Sequence, residues 1–555
     1  MQQHSSPVFH LMNHRALAVV ALAVRCSCPS VSAGTAETIS AQIRSEATRA
    51  NHDPGGRPLP LASHWTTGSH KLSAGWAPER QLELIEQGHF LLPWFAHPPT
   101  TRELSEEARK SFLSYYEKPI QRARELKLPI VFVATQWEHL LSGDSYLSLS
   151  PEKNPNVEGR DGKIQPVVSP FGPVEPWIKV GGQWTSNPQM LKIQEWYPDP
   201  PLVIFLSNNE HAKLTWPKLG QDSRCPEDSL RDDNAKRRMA AEGWIERYRA
   251  LQRGMRDGLA SAAWRQAARF VGYEAFGVPH FGRWGGWMEY SLYTPGRIDP
   301  GPLMWDGGSP SYYTHNWNPS TDFTGWSPQV EFQNLVFMQQ EAHRLNPDFW
   351  IEMSVWDGFT GATHLPAEKN DKRKHYESLG QSFSPERYAG FVQFGMWLLR
   401  PRAVREFRSW IHPWEDAKPY FMAIVESVDR VHRNALLRDW WRKGELVPNR
   451  ARQHFYQAAI PAEYQNSGRW FLLDADVNSS KYPWELSTPI EVFALALVQG
   501  KSPTRQWLVY AHSPLAERKS VRLKIPDYRE IAVDVGIGGS FYEVDEKAGG
   551  VKPIQ

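Results

Sequence analysis

Leu202-Val-Ile-Phe-Leu-Ser-Asn-Asn-Glu-His211 is the stretch that indicates the fold most directly, because an apolar run ends abruptly in polar residues. A short apolar run of this kind is typical of a strand that is buried on both faces of a parallel sheet. Functional side chains collect at the carboxyl ends of such strands. The sequence therefore predicts a parallel β-strand that presents Asn209 and Glu210 at its carboxyl end.

Similar apolar runs recur along the chain and alternate with longer helical patterns, which is typical of βα units. The other predicted strands are Phe90–Ala96, Pro129–Thr135, Arg269–Tyr273, Ser311–His315, Asp348–Ser354 and Gly390–Met396. The connection from Gln136 to Pro201 is too long for one ordinary loop, so we place a further strand near Pro166–Pro170. These eight strands predict a closed (β/α)8 TIM barrel, with an open doubly wound sheet as the alternative.

The length of 555 residues exceeds what one hydrophobic core usually organises, so more than one domain is expected. After Val447 the pattern changes to short strands without intervening helices, which predicts an antiparallel β-sandwich. The expected organisation is a signal-peptide region at 1–36, a lead-in segment at 37–85, a catalytic barrel at 86–446 and the C-terminal sandwich at 447–555.

The N-terminal region has the features of an export signal. A basic start at Asn13-His-Arg15 precedes an apolar run from Ala16 to Val24, and small residues suited to cleavage follow. The run is too short to span a bilayer. We therefore expect a secreted or periplasmic protein with no membrane insertion after signal cleavage.

Composition argues against several classes of partner. The formal net charge is only +2, so the protein has no overall field that would attract nucleic acid. No phosphate loop, dinucleotide glycine pattern or metal-ligand spacing is recognised, so no cofactor or metal is expected. The 25 Trp and 19 Tyr residues supply flat rings that can pack against sugar faces.

A second glutamate lies within the predicted strand Phe349-Trp-Ile-Glu-Met-Ser354, where Glu352 is surrounded by apolar residues. Two carboxyl groups roughly 5–5.5 Å apart can hydrolyse a glycosidic bond with retention of configuration. Tyr420–Glu426 could form another strand and present Glu426. However, its apolar residues fall at helical spacing, so we expect a helix there.

At these residues the sequence resembles clan A of the glycoside hydrolases, which are retaining barrel enzymes. In that clan the acid/base follows an Asn at the end of strand four, and the nucleophile is a Glu near the end of strand seven. The resemblance covers about Phe90 to Arg400. It implies that Glu210 is the general acid/base, Glu352 the nucleophile and Asn209 a ligand of the sugar 2-hydroxyl, with Glu210 ending the fourth predicted strand.

Further residues are candidates for substrate binding because they follow or close predicted strands, or lie in a glycine- and aromatic-rich loop. They are Tyr313, His315, Trp137, Trp317, Trp356 and Arg283. The carboxylates Glu138 and Glu274 are the alternatives to the assigned pair.

The resulting expectation is a secreted glycoside hydrolase that cleaves β-glycosidic bonds in a polysaccharide or oligosaccharide, of the agar or carrageenan galactan type. The alternatives are a glycan-binding protein without catalysis and an inverting hydrolase with a different carboxylate pair. Product stereochemistry separates the last of these from retention.

Overall fold

The computed structural model describes residues 60–64, 105–134, 137–208, 213–273, 301–309, 311–313, 346–356, 384–406, 414–449, 473–478, 491–514 and 516–555, and five single residues. The signal-peptide region and the predicted strand Phe90–Ala96 lie outside them. Among the described helices, none is long and apolar enough to cross a bilayer.

Eighteen strands are present in the described part of the chain. They are β1 (Leu61–His64), β2 (Ile130–Ala134), β3 (Asn156–Glu158), β4 (Ile164–Val168), β5 (Val203–Asn208), β6 (Ala268–Tyr273), β7 (Gly307–Ser309), β8 (Ser311–Tyr313), β9 (Trp350–Trp356), β10 (Ala403–Glu406), β11 (Glu445–Leu446), β12 (Asp474–Ala475), β13 (Phe493–Gln499), β14 (Gln506–His512), β15 (Arg518–Lys524), β16 (Glu530–Val535), β17 (Ser540–Asp545) and β18 (Val551–Ile554).

The α-helices in the described residues are α1 (Glu106–Glu125), α2 (Trp137–Leu141), α3 (Asp144–Leu147), α4 (Glu175–Thr185), α5 (Pro188–Trp196), α6 (Asp233–Asp257), α7 (Ala262–Ala267), α8 (Gly301–Met304), α9 (Pro385–Leu399), α10 (Trp414–Arg433) and α11 (Ala435–Lys443). Short 3-10 helices lie at Pro151–Lys153, Trp216–Gln221 and Glu227–Arg231.

The main sheet is parallel and runs in the order β1-β10-β9-β7-β6-β5-β2, with β8 paired to β9. Its end strands, β1 and β2, do not pair with each other in the described residues. The predicted closed (β/α)8 barrel is therefore wrong for this part of the chain, which forms an open sheet and separate antiparallel sheets. Apolar runs indicate buried strands, but they do not determine whether the first and last strands of a sheet meet.

The strand expected near Pro166–Pro170 does not join the main sheet. Instead β4 pairs with β3 as a two-stranded antiparallel hairpin, and β2 pairs directly with β5. Most of β4 is only partly buried, as suits a peripheral hairpin. The strand leading to Glu210 is therefore the next strand of the main sheet after β2, and the prediction of a further sheet strand near Pro166–Pro170 was wrong.

Gly390–Met396 is also not a strand, because these residues lie inside α9. The side chain of Ser384 accepts the backbone N–H of Arg387 at the start of this helix, and Pro385 is its first residue. Almost the whole helix is buried, so it lacks the solvent-facing polar side that gives a surface helix its periodicity. A short apolar run cannot by itself distinguish such a helix from a strand.

The helical interpretation of Tyr420–Glu426 is confirmed. These residues lie in α10, where Phe421, Ile424 and Val425 are buried and Glu426 is exposed. Helical spacing was decisive here because only one face of α10 packs against the protein.

One face of the main sheet is covered by helices. Phe132, Phe205 and Phe270 are register partners on β2, β5 and β6, and their neighbouring rings stack with centroids 5.7 and 5.4 Å apart. Trp184 of α4 packs edge-on against Phe205, and Trp264 of α7 stacks on Phe132. Side chains alternate along a strand, so on each strand the residues immediately before and after the phenylalanine point to the opposite face of the sheet.

The C-terminal part contains two antiparallel sheets, β11-β13-β14-β17-β18 and β12-β15-β16. Alternate residues of both sheets share one apolar core, which includes Trp507, Val509, Leu523 and Val533. The other face of the larger sheet packs on α9, where the Tyr510 hydroxyl donates to the carbonyl of Gly390 at 2.5 Å. The apolar core of the main sheet continues into this contact.

A buried histidine in this contact predicts a pH-dependent stability. Burial lowers the pKa of His512 to about 3, whereas an unfolded chain has a histidine pKa of about 6.5. Between these values the unfolded chain binds a proton that the folded protein does not. Stability is therefore complete above about pH 6.5 and falls as the pH drops toward 3, by up to about 1.4 kcal/mol per pH unit.

The measurement is urea unfolding of the parent and of His512→Gln at pH 7, 6 and 5. We expect a shallower loss of stability in the variant, because glutamine does not titrate. Equal slopes in the two proteins would contradict this account of His512.

Candidate functional site

The structure describes only some of the residues selected from the sequence. Asn209, Glu210, Arg283, His315, Trp317 and Glu274 lie outside the described residues. Tyr313 ends β8 and Trp356 ends β9, and only their backbone is described. Glu352, Trp137 and Glu138 are described with their side chains.

Glu352 lies in the middle of β9 and is fully buried. Val271 of β6 is paired in register with Gly307 of β7, and Gly307 is paired in register with Trp350 of β9, so the side chains at these three positions lie on the same face of the sheet. Val271 is next to Phe270 and therefore points away from the helix-covered face. Glu352 follows Trp350 by two residues, so its side chain also lies on the face opposite the helices.

Arg405 of β10 forms an ion pair with Glu352. Its Nε and Nη2 atoms donate to Glu352 Oε2 at 3.0 and 2.6 Å, and both side chains are fully buried. Trp350 Nε1 donates to Glu352 Oε1 at 3.0 Å, and Arg405 Nη1 donates to Ser63 Oγ of β1 at 2.8 Å. We call Trp350, Glu352, Arg405 and Ser63 the glutamate cluster.

The glutamate cluster fixes the orientation of the Glu352 side chain. Three N–H donors reach its two oxygens, and two of them belong to a cation, which strengthens the hydrogen bonds. The arrangement thus holds one carboxyl group in a defined orientation beside a buried arginine, as an oriented nucleophile requires.

Sequence reasoning missed Arg405 and Ser63. Ala403-Val-Arg-Glu406 is too short and too polar to be recognised as a buried strand, and β1 lies in the segment expected to be a lead-in. The burial of the charged pair Arg405-Glu406 is visible only in the structure, so the sequence carries no signal for it. Buried charges require partners, and Glu406 also has one, because Tyr388 of α9 donates to its Oε2 at 2.6 Å.

Trp137 lies in the packed layer between helices and sheet. It is fully buried, its Nε1 donates to Ser207 Oγ of β5 at 2.9 Å, and its ring meets Trp184 edge-on. Ser207 follows Phe205 by two residues and thus shares the helix-covered face.

A second buried polar cluster lies where β2 and β5 end. Glu138 in α2 accepts a hydrogen bond from the Tyr248 hydroxyl at its Oε1, at 2.5 Å. Lys213, which follows β5, donates to the same hydroxyl at 3.0 Å and has its Nζ 3.7 Å from Glu138 Oε1. The side chains of Glu138 and Lys213 are almost fully buried. We call Glu138, Lys213 and Tyr248 the lysine cluster.

Within the described residues no group of three histidine, cysteine, aspartate or glutamate side chains is arranged to hold a metal ion. Comparison of the chain with known protein families finds no match, and comparison with curated proteins finds none either.

Proposed function

We propose that the protein is a retaining glycoside hydrolase, with Glu352 as the nucleophile and Glu210 as the general acid/base. The substrate is a β-linked polysaccharide or oligosaccharide, for which agar- and carrageenan-type galactans are the first candidates. The signal-peptide pattern at 1–36 supports action outside the cytoplasm.

The observation that carries the proposal is the Arg405–Glu352 ion pair on the sheet face away from the helices. A retaining hydrolase needs one carboxyl group that is held in a fixed orientation for attack on the anomeric carbon. The orientation of Glu352 supports this role, because Arg405 and Trp350 donate to its oxygens from the same sheet face.

The sheet topology also supports the pairing of Glu352 with Glu210. The strands β5, β6, β7 and β9 are successive parallel neighbours, so their carboxyl ends lie at one edge of the sheet. Glu210 is two residues beyond the end of β5. Active sites of parallel α/β sheets form at this edge.

The reaction takes place in two steps. The Glu352 carboxylate attacks the anomeric carbon while Glu210 protonates the departing glycosidic oxygen, which gives a covalent glycosyl-enzyme. Glu210, now ionised, then removes a proton from water, and the resulting hydroxide displaces Glu352 from the anomeric carbon. Both carboxyl groups return to their starting states, and the sugar keeps its anomeric configuration.

The test compares Glu210→Gln and Glu352→Gln on two kinds of substrate. On agarose and κ-carrageenan oligosaccharides, Glu210→Gln should lower kcat by about 10²–10⁴-fold, because the leaving oxygen is not protonated. On a dinitrophenyl β-galactoside its first step should be largely preserved, because that leaving group needs no proton. Glu352→Gln should fail on both substrates, because it cannot form the covalent intermediate.

Glu426→Gln is the matched control, because Glu426 is exposed on α10 and should leave activity unchanged. Proton NMR during turnover should show retention of the anomeric configuration. Full activity in both active-site variants would contradict the assignment, and an inverted product would favour a different carboxylate pair. Binding without turnover in the parent would favour the glycan-binding alternative.

A further inference from the structure

A pocket opens on the helix side of the main sheet, among α2, α3 and α4. Its volume is about 190 Å³, below the roughly 300–1,000 Å³ of pockets for drug-sized ligands, so it suits a single ring-sized group. Val180 and Trp184 of α4 are buried and close its inner end. Trp184 packs against Phe205 on the helix-covered face, whereas Glu352 lies on the opposite face. The pocket is therefore separate from the proposed active site.

Four polar side chains line this pocket, Lys179 and Gln183 of α4 and Ser145 and Tyr146 of α3. Lys179 and Gln183 are four residues apart, so they lie on the same face of α4. In the described part of the chain, none of the four side chains forms a hydrogen bond or ion pair with another residue. Their polar groups are therefore available to a ligand from two walls of the pocket.

Tyr146 contributes both a flat ring and a hydroxyl group. It is partly buried, and burial raises the pKa of its hydroxyl, which therefore stays protonated and can donate as well as accept. A flat ring can pack against the C–H face of a sugar, while a few polar groups around it bind the sugar hydroxyls. A ring that carries hydroxyl groups thus suits this pocket better than a purely apolar group.

The two walls of the pocket are held in place by buried hydrogen bonds. Asn154 is fully buried, and its Nδ2 donates to the carbonyls of Tyr146 and Leu149 at 2.7 and 3.2 Å. On the other wall, the Thr185 hydroxyl donates to the carbonyl of Met255 in α6 at 2.6 Å, which fixes the end of α4. Preorganised walls of this kind reduce the entropy that is lost when a ligand binds.

Lys179 determines the charge of the ligand, because it is the charged residue among those that line the pocket. The carboxylates closest to the pocket in sequence are Glu175, one turn earlier on α4, and Asp144, which precedes Ser145. Neither forms an ion pair with Lys179 in the described residues. An ammonium group without a paired carboxylate attracts an anionic substituent, and the protein wall beside it strengthens this attraction relative to water.

We propose that this pocket binds one galactose unit that carries a sulfate ester, with Lys179 on the sulfate and Ser145, Tyr146 and Gln183 on the hydroxyl groups. The protein then holds a sulfated galactan at a second site, across the sheet from Glu352. The choice of galactose rests on the proposed function, whereas the preference for an anionic sugar follows from the pocket itself.

The test is isothermal titration calorimetry with galactose 4-sulfate, galactose and inorganic sulfate, which have no glycosidic bond to cleave. The parent should bind galactose 4-sulfate at least about tenfold more tightly than the other two compounds. Lys179→Met should weaken that binding about tenfold, as expected for a lost hydrogen bond to a charged group, and leave galactose binding unchanged. Ser145→Trp should prevent binding of both sugars, because the indole fills the pocket.

Lys192→Met is the matched control, because Lys192 is an exposed lysine on the neighbouring helix α5 and does not line the pocket. It should bind galactose 4-sulfate as the parent does. Lys179 and Ser145 are both exposed, and Lys179→Met carries the test if Ser145→Trp does not fold.

Equal affinity for galactose 4-sulfate in the parent and in Lys179→Met would overturn the inference. Inorganic sulfate that binds as tightly as the sugar sulfate would also overturn it, as would a parent that binds none of the three compounds. These results would leave the proposed function intact. Conversely, a parent that shows the expected binding but cleaves no glycan would support the pocket and overturn the proposed function.

Discussion

Replacement of Arg405 by methionine is expected to destabilise the protein by about 3–5 kcal/mol, which is typical when one partner of a buried ion pair is removed. Glu352 would remain fully buried without the two N–H donors that reach its Oε2. Ser63 would also lose the donor to its hydroxyl oxygen. Urea unfolding at pH 7, followed by far-UV circular dichroism, measures the difference.

The matched comparison is the double variant Glu352→Gln with Arg405→Met. Glutamine keeps an oxygen that can accept from Trp350 but carries no charge, so most of the lost stability should return. If Arg405→Met lowers the free energy of unfolding by less than about 1 kcal/mol at pH 7, the ion pair does not hold β9 and β10 together.

The same double variant separates the structural role of Glu352 from its proposed catalytic role. If Glu352 serves only to balance Arg405, a folded double variant should turn over glycan at the parental rate. If Glu352 is the nucleophile, the double variant should be stable and inactive. Stability and turnover measured on one protein therefore distinguish the two roles.

Replacement of Gly254 by alanine is expected to destabilise the protein by about 1–3 kcal/mol, the range for overpacking a well-packed contact. Gly254 lies in α6 where it crosses α4. A methyl group there would overlap the carbonyl oxygen of Ile178 and come within 2.9 Å of its Cα. These are backbone atoms of another helix, so relief requires the helices to separate rather than a side chain to rotate.

Gly182→Ala tests this explanation on the same helix crossing. A methyl group at Gly182 would lie 3.4 Å from the carbonyl oxygen of Gly254, which the helices can accommodate with a small adjustment. Alanine is also the better helix former by about 1 kcal/mol. We expect this variant to match or exceed the parent in thermal unfolding, and equal destabilisation by both substitutions would contradict the close-contact account.

Some strands and helices were predictable because local pattern and final environment agree. The apolar runs that form β2, β5 and β9 are buried within the sheet. The helix α10 buries only one face, so its apolar residues recur at helical spacing in the sequence. In α9 the same reasoning failed, because a helix buried on all sides has lost the polar face that produces periodicity. Short polar strands such as β10 have no pattern that could reveal them.

The sequence by itself determined that Glu352 lies in an apolar strand and that Glu210 follows another. Only the tertiary structure decided which strands are neighbours, and thereby which groups meet. β10 lies between β1 and β9, which joins Ser63, Arg405 and Glu352 across 342 residues of sequence. Local preferences act over a few residues, whereas strand order depends on the burial of side chains from distant parts of the chain.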